Sequence, residues 1–475
     1  MQVAGYFDGA MGTGEHGRQL AASLRTQGIP IRPITLRPDG APEDYELGRD
    51  FHATPAEPSP GDADLEQFNL LCANAEMVPA VAGLLGEDFF AGRYTIGFWA
   101  WEVSAFPDRY APAFDSLDEV WVGSRHVHDA VAARSPVPVL AIPQPVSLAP
   151  GAEHATAPAD LPGGFRFLFA FDYLSVFERK NPLATIAAFA RAFEPGAGAT
   201  LVVKSLNPEH DPAAHARLRA AAAEHPDIQV IEERLSRAER DGLMAAADCY
   251  VSLHRAEGFG YTLAESMWLG KPVIATGYSG NVDFMSPENS YLVDHRLVPI
   301  GAGNDPYPPE GVWAEPDVDH AARLMREVFE GREAAAERGR RAAAEIRASH
   351  GPEAAGRVMA ERLGELEASG APRASSRLPR LATGRAGELI RSGPVPPGRP
   401  RFGAPQLAAR KGLLRVLKPV TVHQRQVGGE LLGAIEALDA KVQSLSLAHR
   451  EALRHIDRLE AELRALRAPG ENGRE

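Results

Sequence analysis

The chain has two cysteines in 475 residues, Cys72 and Cys249, each inside an apolar run. That excludes a disulfide framework and points to buried free thiols in a reducing compartment. No apolar stretch reaches the ~20 residues of a membrane-spanning helix. The opening Met1-Gln2-Val3-Ala4-Gly5-Tyr6-Phe7-Asp8 has neither the basic region nor the apolar segment of a signal peptide and reads as a strand. A cytoplasmic location is expected. Acids outnumber bases, 63 to 50, for a formal net charge of −13. The balance is uneven: residues 370–427 hold twelve Lys/Arg and one acid, Glu388. The first 369 residues are therefore strongly acidic, which argues against nucleic-acid binding by the main body. No metal-ligand pattern is convincing either. Asp62-Ala63-Asp64 lies in a Pro/Gly-rich loop, not at a strand end.

What the chain does have is alternation. Hydrophobic residues make up 44% of it, enough for a real core. Short apolar runs at 2–8, 31–36, 68–73, 94–101, 119–124 and 137–143 predict strands in the first half. Runs at 165–172, 199–205, 228–233, 249–254, 272–277 and 290–294 predict them in the second. Helical patterns lie between most of these, such as 182–193, 212–224 and 236–247. Such alternation implies parallel sheets with helices on both faces. A Pro/Ala/Gly-rich linker at 148–162 divides the two halves, and helical sequence from about 319 to 368 closes the body.

Beyond it, 369–427 reads as a basic flexible linker carrying a short amphipathic helix at 407–418. Residues 428–468 carry heptads, with Ile435, Val442, His449, Ile456 and Leu463 at one core position. Leu438, Leu445, Ala452, Leu459 and Leu466 occupy the other, the pattern of a coiled coil. A homo-oligomer is expected from the heptads, and contact with an anionic membrane surface from the basic segment.

The densest chemistry lies at His254-Arg255-Ala256-Glu257-Gly258-Phe259-Gly260-Tyr261-Thr262-Leu263-Ala264-Glu265. A glycine-interrupted turn carrying a carboxylate ends a strand and opens onto a helix, the edge where open α/β sheets bind ligands. Gly258 and Gly260 let backbone N–H groups approach a ligand closely. Glu265, two helical turns after Glu257, can reach another part of the same ligand.

Together with Arg179-Lys180-Asn181-Pro182 and Thr276-Gly277-Tyr278-Ser279-Gly280-Asn281, this stretch resembles the retaining family 4 glycosyltransferases of GT-B fold. The resemblance covers residues 1 to about 365 and is carried mostly by the second half. It implies an α/β fold of two Rossmann-like domains facing across a cleft. The domains expected are 1–155 on the acceptor side and 163–368 on the donor side, followed by the basic linker and the coiled-coil tail.

The resemblance also implies roles. The substrates would be a nucleotide sugar and a hydroxyl acceptor (glycan, lipid-linked sugar or protein), with no cofactor and no metal. Glu257 would accept hydrogen bonds from sugar hydroxyls, and the backbone at Gly258, Phe259, Gly260 and Tyr261 would seat the sugar and phosphate. Glu265 would hold the ribose, since vicinal hydroxyls suit a carboxylate acceptor. Lys180, with Arg179 beside it, would offset charge growing on the departing phosphate. The family's usual Gly-Arg pair after the strand is missing, because that region reads Phe171-Asp172-Tyr173-Leu174-Ser175; Arg179 or Lys204 would substitute.

In the first half, Gly12 and Gly14 sit in the strand-helix loop that borders the diphosphate in the family. Trp99, Trp101 and Glu102 are acceptor-side candidates, as aromatic faces for a sugar ring and a carboxylate for its hydroxyl. No catalytic histidine is assigned. His16, His126, His128 and His254 are candidates, His254 first for its place beside Glu257. A scaffold or assembly protein with a degenerate transferase body is the alternative, supported by the tail that catalysis does not need.

Overall fold

The computed structural model describes residues 1–7, 12–36, 67–158 and 160–371. The linker with its amphipathic helix and the coiled coil lie outside the described residues, apart from the linker's first three positions, as do Asp62-Ala63-Asp64 and loop residues 8–11.

The strands of the first half are β1 (Gln2–Gly5), β2 (Arg32–Thr35), β3 (Phe68–Cys72), β4 (Tyr94–Trp99), β5 (Glu119–Val122) and β6 (Val139–Ala141). They form one sheet, all parallel, in the order β2-β1-β3-β4-β5-β6. Helices α1 (Gly12–Thr26), α2 (Val78–Leu85), α3 (Glu87–Phe90) and α4 (Arg125–Ala132) connect them, with a 3₁₀ segment at Asp108–Ser116.

The second sheet holds β7 (Phe165–Asp172), β8 (Ala199–Leu206), β9 (Ile228–Ile231), β10 (Cys249–Ser252), β11 (Val273–Thr276) and β12 (Tyr291–Val293). Its order is β12-β11-β10-β7-β8-β9, again all parallel. Helices α5 (Phe177–Lys180), α6 (Pro182–Ala192), α7 (Pro212–Ala223), α8 (Arg237–Ala246) and α9 (Tyr261–Trp268) accompany it.

Period-two alternation explains how each sheet is covered on both faces. In β7, Phe165, Phe167, Phe169 and Phe171 enter one core, together with Leu201 and Val203 of β8 and Cys249 and Val251 of β10. Their neighbours Leu168, Val202 and Tyr250 enter the other. Both cysteines are buried free thiols.

An antiparallel hairpin, β13 (His295–Pro299) and β14 (Val312–Pro316), joins neither sheet. Sequence reading missed it, since β13 is mostly exposed and its connection is rich in Gly, Pro and Asn. Helices α10 (Val318–Glu330), α11 (Arg332–His350) and α12 (Pro352–Ala368) end the described body. The last of these returns to the first sheet: Met359, Leu363 and Leu366 share a core with Leu20 and Leu24 of α1. The Arg362 guanidinium reaches the fully buried Glu119 of β5 at 2.6 Å.

The chain builds sheet two outward from β7 through β8 and β9, then starts again on the other side with β10. The strand order therefore reverses between β7 and β10, and ligands bind beyond the strand ends at such a point. In sheet one the reversal lies between β1 and β3.

Candidate active site

The two chain segments leaving that reversal, 173–181 after β7 and 253–260 after β10, are stitched together. Asn181 Nδ2 donates to the Leu253 carbonyl at 3.0 Å, and the Arg255 N–H donates to the Arg179 carbonyl at 2.8 Å. Val176 turns the first segment at φ 61°, a left-handed conformation costing a β-branched residue about 1–3 kcal/mol. Its carbonyl accepts from the N–H groups of both Arg179 and Lys180, which starts the short α5 and aims the two cations at the second segment.

There they meet Glu257. Lys180 Nζ lies 2.5 Å from Glu257 Oε1, and Arg179 Nη1 lies 3.2 Å from Oε2. All three are largely buried. Burial pushes the Glu257 carboxyl up, but Lys180 and then Arg179 outweigh it and hold the pKa at about 2. The backbone is fixed as well: Ser279 Oγ accepts from the Glu257 N–H at 2.8 Å, and the Glu257 carbonyl accepts from the Gly280 N–H at 2.9 Å.

Arg179 is committed in several directions. It is 3% exposed, and it donates through Nη1 to the Ala256 carbonyl at 2.8 Å and through Nε to the Ser175 carbonyl at 3.2 Å. It braces the loop of Glu257, which leaves Lys180 as the less committed cation of the pair. Lys204 is not brought to this group. It donates to the Ser205 carbonyl at 2.5 Å, and the charges acting on it most are Glu233, Glu232 and Asp172. Its expected substitution for the missing arginine has no support in this geometry.

Glu265 is 6% exposed on α9, with Arg240 Nη2 of α8 at 3.4 Å. Burial raises its carboxyl, which Arg240 opposes. Arg240 had no signal in the sequence beyond a helical arginine. Arg237 on the same helix faces Glu15 of α1 at 3.6 Å, so the two halves meet here through opposite charges.

Gly258 sits where the halves touch. A Cβ there would lie 2.5 Å from the Trp101 carbonyl oxygen, and the Gly258 carbonyl accepts from Ser124 Oγ at 2.6 Å. Close packing between the halves therefore demands glycine at this position, a reason different from the ligand approach expected. Gly260 does adopt a left-handed φ of 96° at the start of α9. The Phe259 side chain is core, against Phe284 and His350. The Tyr261 ring packs on His16 of the first half at 4.9 Å. Gly12 opens α1 and Gly14 is buried within it, so the described part of their loop is already helix.

The tryptophans are a correction. Trp99 is 1% exposed and stacks on Phe106, and Trp101 is 4% exposed and donates Nε1 to the Ala105 carbonyl. Neither offers a face to a sugar ring: Trp99 ends a strand buried on both faces, and Trp101, just beyond it, is enclosed by Phe106, Tyr110 and Tyr307. Glu102, in contrast, does reach the site: its Oε1 lies 4.0 Å from Arg179 Nη2. His254, expected to line the site, is fully buried behind it, between Ser252 Oγ at 3.1 Å and Asn281 Oδ1 at 3.1 Å. Burial drops its pKa to about 4, so it is a neutral strut. His16 contacts Gln144, His126 Nε2 contacts the Glu102 carbonyl at 3.0 Å, and His128 pairs with Asp129 at the surface.

Two parallel-sheet α/β halves in one body are the GT-B fold of glycosyltransferases, and a carboxylate with two cations stands at the switch point of the second. A family model described as "Family 4 Glycosyltransferase in conflict systems" matches residues 120–359, and the chain belongs to that family. The fold is similar to sucrose-phosphate synthase from Thermosynechococcus elongatus, with TM-score 0.55 and 16% identity over 78% of this chain and 100% of that one. It is also similar to Anabaena HepE in complex with UDP and glucose, with TM-score 0.51 and 16% identity over 77% of this chain and 99% of that one. A glycosyltransferase from Rickettsia africae gives TM-score 0.54 and 13% identity over 77% and 97%. No curated protein matches the chain. Among the described residues, no helix is long and apolar enough to cross a membrane.

Proposed function

We propose that this glycosyltransferase moves a sugar from a nucleotide-sugar donor to a hydroxyl acceptor with retention at the anomeric carbon and without a metal ion. The observation that carries the reading is the Lys180–Glu257 pair, 2.5 Å apart at the reversal of the second sheet. Glu257, ionised at any physiological pH, is an acceptor for sugar hydroxyls. Lys180 moves from Glu257 to the departing diphosphate as charge grows there, a preorganised cation in a site sheltered from water. Glu265, with Arg240 beside it, accepts from the ribose hydroxyls. The acceptor enters from the first half, near Glu102. Departure and attack share one face of the sugar, and the leaving phosphate oxygen takes the acceptor's proton.

HepE's complex with UDP and glucose supports the donor class. A thermal-shift screen of nucleotide sugars identifies the donor, because a ligand bound only by the folded state raises apparent stability. NMR of the product then reads its anomeric configuration, and an inverted product would sink the retaining mechanism. Membrane association through 370–427 and self-association through 428–468 belong to the same proposal. Loss of vesicle binding when 370–427 is deleted, and a fall in particle mass on truncation at 428, are the expected results.

A further inference from the structure

The hairpin β13–β14 belongs to neither sheet, and its tip is anchored on the opposite half. Ile300, Tyr307 and Trp313 share an apolar cluster with Trp101, Val103 and Phe106. Arg109 Nη2 donates to the Pro306 carbonyl at 2.5 Å and lies 3.3 Å from Asp305 Oδ1. One polar side chain from this tip is driven inward. Tyr307 is 6% exposed, its ring packs edge-on to Trp101 at 5.4 Å, and its hydroxyl donates to Glu102 Oε2 at 2.8 Å.

From there a chain of contacts runs to the site. The other Glu102 oxygen lies 4.0 Å from Arg179 Nη2, and Arg179 Nη1 lies 3.2 Å from Glu257 Oε2. Two carboxylates thus face one guanidinium, and the Tyr307 hydroxyl holds one of them back. We propose that Tyr307 is a positioning residue for sugar transfer: by engaging Glu102, it leaves Arg179 to share Glu257 with Lys180, so that Lys180 can leave that carboxylate for the phosphate. Without that hydroxyl, Glu102 closes on Arg179 and draws it from Glu257. Glu257 then leans on Lys180 alone and holds it away from the diphosphate. The hairpin so makes the donor site depend on its docking against the acceptor-side half. This rests on the proposed transferase reading, and the test separates the two.

The test is steady-state hydrolysis of the donor found by screening, with water as the only nucleophile so that no acceptor contact of Glu102 is read, in wild type, Y307F and Y307F/E102Q. Phenylalanine keeps the ring packing, and urea unfolding monitors the fold. A charge-assisted hydrogen bond transmitted to the site predicts a fall in kcat of about tenfold in Y307F with donor KM changed far less. The double variant should recover most of the loss, because an uncharged amide in place of the Glu102 carboxylate no longer competes for Arg179. A structural role alone would not give that rescue. An unchanged kcat in Y307F, or a deeper loss in the double variant, overturns the inference while leaving the transferase reading intact. No turnover by the wild type with any nucleotide sugar overturns the reading itself.

Discussion

Replacing Gly258 with alanine tests whether the contact between the halves sets the geometry of the site. The added Cβ would lie 2.5 Å from the Trp101 carbonyl oxygen, about 0.9 Å inside the 3.4 Å of ordinary contact. That oxygen is backbone, so no side-chain rotation relieves the overlap. Gly258 is not in the left-handed region, so the cost is contact alone. Relief by parting the halves stretches the Ser124 Oγ to Gly258 carbonyl bond from 2.6 Å to about 3.5 Å, where it is effectively lost. Overpacking of this kind costs about 1–3 kcal/mol of stability. Glu257 is the adjacent residue, and a misplacement of about 1 Å in a reacting geometry costs roughly 100-fold in rate. The assay is kcat/KM for the donor with urea unfolding in parallel. Native activity and native stability together in Gly258→Ala would refute the interlocking of loop and domain contact.

Two further outcomes are expected. Arg362→Ala leaves the buried Glu119 with Trp121 Nε1 at 2.6 Å and Tyr94 OH at 3.3 Å as remaining donors, and should cost about 3 kcal/mol in urea unfolding, towards the low end for a broken buried pair. Burial holds His16, His254 and His350 at about 4, below their unfolded value of about 6.5. The unfolded state therefore takes up protons first as pH falls. Stability should be flat with respect to these groups above about pH 6.5 and decline from there towards pH 4. Glu257, held at about 2, adds its own loss only below its unfolded value of 4.5. The urea midpoint against pH reads this, and His254→Gln should flatten the slope between pH 6.5 and 4.

Most strands were legible because they are short apolar runs between helical patterns, with successive residues entering opposite cores as in Phe165–Asp172. Glu257 and Lys180 were legible because glycines and cations flank the ends of two such runs. Which way Trp99 points was not, since a strand buried on both faces has no polar side to fix its orientation, and Trp101 lies in the segment after that strand, where no period applies. Tyr307 was invisible for another reason. It lies in a proline-rich connection and acquires meaning only through Glu102, two hundred and five positions away in the chain. The hydrogen bond of Arg179 to Ser175 is local, but the one to Ala256 reaches a loop 77 positions downstream that sequence spacing does not reveal.

The most direct test of the account is turnover of the authentic nucleotide-sugar donor by Glu257→Ala and Lys180→Ala. The account predicts that each loses about 10²–10³-fold in kcat, the scale of removing one preorganised charge-stabilising group, while folding normally. Near-native turnover in both variants would contradict it.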